Sequence, residues 1–207
     1  GNGADLVVTS GHASQTNWQL HYPTASPEGY FMSNDGQLYG RDAGGAVHNI
    51  NSSNAKLYYA PGNCLIAQIP QDATRDDCMA LGWLGTGGAA QMYGYVVSTW
   101  FGYSGWGVSA YFIRQQDRFT FGESVFANNQ SLLFDIENGT PGVDQDGLAY
   151  DRDAFVLYGD PALDSRLVPV TLPDYDQMLT AYLGGRGDAY DFELHIVMNR
   201  DRNVERR

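Results

Sequence analysis

His12 and Cys64 are the residues whose types and settings best suit covalent chemistry. Each follows a short apolar run. Asp5 to Ser10 (DLVVTS) reads as a buried strand, and Gly11-His12 comes directly after it. Within Lys56 to Ile69 (KLYYAPGNCLIAQI), Leu57, Tyr58 and Tyr59 form a second strand-forming run. Pro61-Gly62 is expected to stop it, and Cys64 follows at once. Residues delivered at the C-terminal ends of parallel strands stand at the rim where open α/β sheets bind ligands. If these two strands are parallel neighbours, imidazole and thiol meet over one edge. A cysteine with a histidine elsewhere in the sequence is the pattern of a thiol nucleophile and its base. A free thiol has a pKa of ~8.5, so only a few per cent is thiolate at neutral pH. A histidine of pKa ~6.5 can raise that fraction and protonate a leaving group. The competing reading is a buried structural cysteine and an unrelated histidine.

Other residues invite a role and a plainer account together. Trp100, Tyr103 and Trp106 lie in an aromatic-glycine loop, WFGYSGWG, expected to follow a buried strand over Met92–Thr99. They read either as the wall of a pocket for an apolar or uncharged side chain or as an aromatic lid over the core. Trp18 and Asn63 flank the His-Cys pair and either touch a substrate or pack and hydrogen-bond locally. Cys78, beside Met79, Leu81 and Leu84, reads as core. Asp144, Asp146, Asp151 and Asp153 alternate in an acidic loop spanning 135–153. Such oxygen-rich loops can hold calcium, although the spacing is not that of an EF-hand and a solvated loop is the favoured reading. Asp160, between Gly159 and Pro161, reads as a turn former. His21, His48 and His195 receive no role. Arg186-Gly187-Asp188 reads as a chance tripeptide in a Gly-rich turn. Asn51, Asn129 and Asn138 open glycosylation sequons.

The elements that must position these residues follow from the pattern along 207 residues. That length suits one α/β domain with a sizeable core. A hairpin is expected at Asp35-Gly36 within an otherwise loop-like 11–50. A short helix capped by Asp76 or Asp77 is expected over 78–87, with helices over 108–118 and 122–134 and a strand over 154–158. Strands alternating with helices argue for a mostly parallel sheet covered on both faces. The domain division is 1–164 and a β-rich remainder, 165–207. A sheet that starts at Asp5 lacks its earlier strands, so the expectation is one piece of a longer precursor. The alternative is a different strand order with nothing missing. Twenty-four acidic against twelve basic residues give a net charge of -12, which argues against nucleic acid or anionic membranes as partners. No apolar run approaches the ~20 residues of a membrane span.

Three segments in order resemble the gingipain family of cysteine peptidases, in the caspase-like clan. They are Ser10-Gly11-His12-Ala13-Ser14-Gln15-Thr16-Asn17-Trp18, then Gly62-Asn63-Cys64 with Gln68 and Asp77-Cys78-Met79, then Phe155-Val156-Leu157-Tyr158-Gly159-Asp160-Pro161-Ala162-Leu163. Gly94 to Thr99 resembles the strand that follows the nucleophile in that family. The resemblance covers about half of the chain. It implies a caspase-like α/β three-layer sandwich followed by an immunoglobulin-like extension. It implies a His12–Cys64 dyad, with an oxyanion held by the backbone N–H groups of Ala13 and Cys64. It further implies a secreted, periplasmic or surface-bound endopeptidase acting on peptides or proteins. Such an enzyme needs no cofactor and is made as a precursor with a companion N-terminal chain. Ala13 stands where the family has glycine, the stretch between His12 and Cys64 is long, and GYSGWGVS carries no acid for a basic substrate residue. These departures support a rival reading, a catalytically inactive member of the fold used for surface assembly or partner binding. A third reading is self-processing of the precursor alone.

Overall fold

The computed structural model describes residues 4–20, 29–99, 101–115 and 118–166. All lie in the first of two units into which the chain divides, Gly1–Val168 and Pro169–Arg207. Apart from Ser165 and Arg166, the expected β-rich segment therefore lies outside the described residues, as does Trp100.

The first unit is built on two sheets. One has β1 (Leu6–Gly11), β6 (Lys56–Asn63), β7 (Ala89–Tyr95) and β8 (Phe155–Gly159) in that spatial order. β1, β6 and β7 are parallel, and β8 closes the edge antiparallel to β7. The architecture is thus mixed α/β with a mostly parallel sheet. The second sheet is an antiparallel meander of β2 (Asn17–Leu20), β3 (Gly29–Asn34), β4 (Gln37–Asp42) and β5 (Val47–Asn49). The stretch expected as loop, 11–50, carries this sheet. Its strands are short and mix Gly and polar residues with aromatics, so they lack a clear period-two signal. The Asp35-Gly36 hairpin is present, with both residues at positive φ, 49° and 67°, as a tight turn between twisted strands requires.

β6 is buried from Lys56 to Pro61, because both faces of its sheet are covered. Tyr58 and Ala60 face a core completed by Trp83, Met79, Cys78 and Ile66. Leu57 and Tyr59 face a second core with Tyr93, Phe112, Phe121 and Val125. Tyr58 stacks on Trp83 with ring centroids 3.9 Å apart, a contact type that adds about 0.5–1.5 kcal/mol beyond area burial. Pro61-Gly62 does not end the strand. Pairing with β7 finishes at Ala60, and pairing with β1 slips between Val8 and Ser10. The missing Pro61 N–H therefore falls where the ladder is already interrupted.

The helices cover the sheet. α1 (Met79–Leu84) follows a 3-10 turn at Arg75–Asp77, and its N-cap is Cys78. Neither Asp76 nor Asp77 caps it. Asp77 instead accepts the Asp35 N–H at 3.0 Å, tying the hairpin to the helix start. The aromatic-glycine loop contains a short helix, α2 (Tyr103–Gly107), and α3 (Ser109–Phe112) is briefer than the expected 108–118. α4 (Phe121–Asn138) contains the expected 122–134. It opens on a capping box: Thr120 Oγ1 accepts the Glu123 N–H at 3.1 Å, and the Thr120 N–H donates to Glu123 at 2.7 Å. Thr120→Ala is expected to lower unfolding free energy by about 1 kcal/mol, read from the midpoint of urea denaturation. The acidic segment 135–153 is the end of α4 and then α5 (Gln145–Asp153), not a loop. Among the described residues no helix is long and apolar enough to cross a membrane.

Candidate active site

β1 and β6 run parallel, and their register pairs Gly11 with Asn63. The next residue on each strand is His12 and Cys64 respectively, so both leave neighbouring strands at the same end. Adjacent strands lie about 4.8 Å apart. His12 is exposed and Cys64 half-buried, so both are within reach of solvent.

The backbone on either side is unusual in ways that aim these residues. Gly11 has φ +139°, a conformation rarely taken by residues with a side chain. A Cβ there would lie 3.6 Å from the Trp18 indole nitrogen and 3.5 Å from the Gln19 carbonyl oxygen. Past His12 the chain folds back at once. Gln19 N donates to the His12 carbonyl at 2.9 Å, Ser14 N donates to the Asn17 carbonyl at 2.8 Å, and Asn17 Nδ2 donates to Ser14 Oγ at 2.9 Å. Ala13 bridges to Trp18 within this turn. Leu65, directly after Cys64, has φ +59°. A branched residue in the left-handed region costs on the order of 1–3 kcal/mol and persists only when its surroundings hold it. Here the Leu65 N–H donates to Val97 O at 3.1 Å, and the Ala67 N–H to Tyr95 O at 3.0 Å. The turn that carries the thiol is thus strapped to the end of β7.

The sulfur itself touches the Thr99 backbone. Its distances to the Thr99 carbonyl oxygen and to the Thr99 amide nitrogen are both 3.4 Å. As a thiol, Cys64 can donate to that carbonyl. As a thiolate, it can accept from that amide. Thr99 is held in turn by Asp151, whose side chain is fully buried. Asp151 accepts from Thr99 Oγ1 at 2.7 Å, Tyr95 Oη at 2.9 Å and the Ser104 N–H at 2.6 Å. Burial, with the Asp151 charge next, drives the Tyr95 hydroxyl well above its ordinary range, so it stays protonated and donates.

The remaining candidates divide. Trp106 is 48% exposed, and its indole nitrogen would stand 3.4 Å from a Cβ at Gly62, beside the end of β6. Tyr103 is half-buried and stacks on Phe101 at 6.1 Å. Trp18 stacks on Phe31 at 5.4 Å. Asn63 is fully buried, and its Nδ2 donates to Thr9 Oγ1 at 2.6 Å, which in turn meets Tyr58 Oη at 2.8 Å. Its side chain thus works beneath the strand ends and not on a substrate-facing surface. The four aspartates proposed for calcium also need correction. Asp144 caps α5 by accepting the Gly147 N–H at 3.0 Å, Asp146 lies in the first helical turn, Asp151 faces the core, and Asp153 pairs with Arg152 at 2.8 Å. A helix sends alternate residues to different faces, so period-two spacing cannot gather them. Among the described residues no group of three or more His, Cys, Asp or Glu stands ready to hold a metal ion.

Sequence reasoning placed Thr99 at a strand end without giving it a role and misassigned Asp151. A usable signal existed for the second. Asp151 falls three residues after Leu148, on the face of α5 that also carries Gly147, so a carboxylate sits at an inward-facing position. In comparison with known proteins, the chain matches no family model, no curated protein and no solved structure.

Proposed function

We propose that this chain is a gingipain-like cysteine endopeptidase with a caspase-like sandwich, in which Cys64 is the nucleophile and His12 the general acid-base. The observation that carries the reading is the Gly11–Asn63 register, which releases His12 and Cys64 side by side from parallel strands. The strained turn at Leu65 and the Thr99 amide at the sulfur support it. In the reaction the Cys64 thiolate adds to the peptide carbonyl carbon. The backbone N–H groups of Cys64 and Ala13 hold the oxyanion. The C–N bond breaks as His12 protonates the leaving amine, and water, deprotonated by His12, then hydrolyses the thioester. Trp106 and Tyr103 form one side of the substrate cleft and favour an apolar or uncharged residue there. Secretion or surface display and a precursor with a companion chain belong to the same reading, with processing of that precursor as one use.

A second reading is a non-hydrolytic member of that fold serving surface assembly. It draws on the antiparallel sheet inserted between His12 and Cys64, whose edge strand β5 is exposed throughout. An edge of this kind can accept a partner strand. One experiment separates the two. Native protein is labelled with iodoacetamide near neutral pH, the modified peptides are mapped, and the same material is offered an unbiased peptide library. The peptidase reading expects labelling of Cys64 over the buried Cys78, loss of that selectivity in His12→Ala, and cleavage that labelling stops. Equal labelling of the two thiols with no cleavage selects the assembly module.

A further inference from the structure

Asp151 is a carboxylate with no exposed surface on a helix that is otherwise mostly polar. Burying such a group is costly unless donors satisfy it. Its three donors share a location. Tyr95 ends β7, Thr99 follows it, and Ser104 lies in α2, so all belong to the β7–α2 connection. A second link from α5 reaches the same segment, with Tyr150 Oη donating to the Ser98 carbonyl at 3.2 Å. Among the described residues of this connection, only Thr99 hydrogen-bonds the Cys64 sulfur, through both its amide and its carbonyl.

We propose that Asp151 is a positioning residue of this site: through the Thr99 hydroxyl it fixes the Thr99 peptide against the Cys64 sulfur. The Thr99 side chain and main chain then face two different partners, the carboxylate and the thiol. Rotation of the Thr99 peptide would turn its N–H away from the sulfur, and the 2.7 Å bond to Asp151 resists that rotation. The donor is thus in place before a thiolate forms, which is where a fixed dipole is most effective. The titratable groups around this site are His12, one residue past the end of β1 whose Gly11 pairs with Asn63, and, behind Thr99, Asp151 from α5 with Tyr95 from β7. The consequence for turnover rests on Cys64 being the nucleophile. The positioning itself is testable on the thiol alone.

The test is the pH profile of Cys64 alkylation by iodoacetamide in the full chain, followed by peptide mapping. The midpoint of that profile reports thiolate stability independently of how open the site is. Thr99→Val removes the hydroxyl and keeps the shape, and it is expected to raise the midpoint by about half a unit or more. Thr99→Ser restores the hydroxyl and is expected to return the midpoint close to that of the unchanged protein. A merely structural role would not produce that rescue. Asp151→Ala is expected to shift the midpoint in the same direction as Thr99→Val. If Asp151→Ala does not fold, the Thr99 pair decides alone. A Thr99→Val protein that folds, by circular dichroism, and titrates like the parent overturns the proposal. A shifted midpoint in a protein that cleaves no peptide leaves the positioning standing and removes the peptidase reading. Cleavage that depends on Cys64 with an unshifted Thr99→Val midpoint does the reverse.

Discussion

Cys64→Ala is expected to reduce peptide hydrolysis by about 10,000-fold or more, with the unfolding midpoint nearly unchanged. The size follows from what the thiol does. In the proposed mechanism it supplies the covalent path, and without it only substrate binding and the oxyanion donors of that mechanism would remain. The fold should tolerate the change, because Cys64 sits in a half-buried turn that the Leu65 and Ala67 N–H groups tie to the end of β7, and the variant loses only the weak sulfur contacts with Thr99. His12→Ala should come close to the same loss, because each residue is of little use without the other. The double variant should then be hardly worse than either alone, since residues acting as one unit are not additive. The check is a steady-state assay on a cleaved library peptide with all three variants. Full activity in Cys64→Ala removes the assignment outright. Losses in the two single variants that multiply in the double would mean that Cys64 and His12 act separately.

The largest effect on stability is expected at Gly105. This residue of α2 lies against the turn of β6 that precedes Cys64. A Cβ there would stand 2.8 Å from the Pro61 carbonyl carbon, closer still to its oxygen, and 2.9 Å from the Phe155 ring. Backbone on one side and a packed aromatic on the other leave no flexible neighbour to yield. The same short contact is fastened by Tyr59 Oη, which donates to the Gly105 carbonyl, and by the Gly105 N–H, which donates to Tyr95 Oη at 3.2 Å. Gly105→Ala must push α2 off β6 or bend both, at a cost of roughly 2–4 kcal/mol. Urea denaturation should show the drop. Because Tyr95 also holds Asp151, the variant should lose thiol selectivity at Cys64 together with stability. A Gly105→Ala protein as stable as its parent would show that α2 is not packed this tightly on β6.

How much of this was legible in the chain depended on whether a feature is local. DLVVTS followed by Gly-His, and LYY followed by Pro-Gly-Asn-Cys, identify two strands with a His and a Cys just past their ends, although only the second is buried and β1 is a partly exposed edge strand. Apolar runs and turn formers are properties of adjacent residues. The same holds for Asp35-Gly36, where only a tight turn suits both residues, and for the helix over 122–134, where apolar spacing is local. The net charge of -12 likewise follows from composition and bears on partners without any fold.

The tertiary structure decided everything that depends on which elements meet. β1 and β6 could have been any two strands of a sheet. Only the pairing of Gly11 with Asn63 brings together the two strand ends that precede His12 and Cys64. The left-handed Leu65 breaks local preference, because the end of β7 supplies the hydrogen bonds that hold it there. Pro61 continues a strand because pairing with β7 has ended at Ala60 and pairing with β1 slips at that point. Asp151 reads as one of four solvated acids until α5 forms and turns it inward, where hydroxyls and an amide from a segment some fifty residues earlier satisfy it. A helix face is local, but what packs against it is not. The chain itself therefore offered two residue types, and the sheet register set the ends of their two strands next to each other.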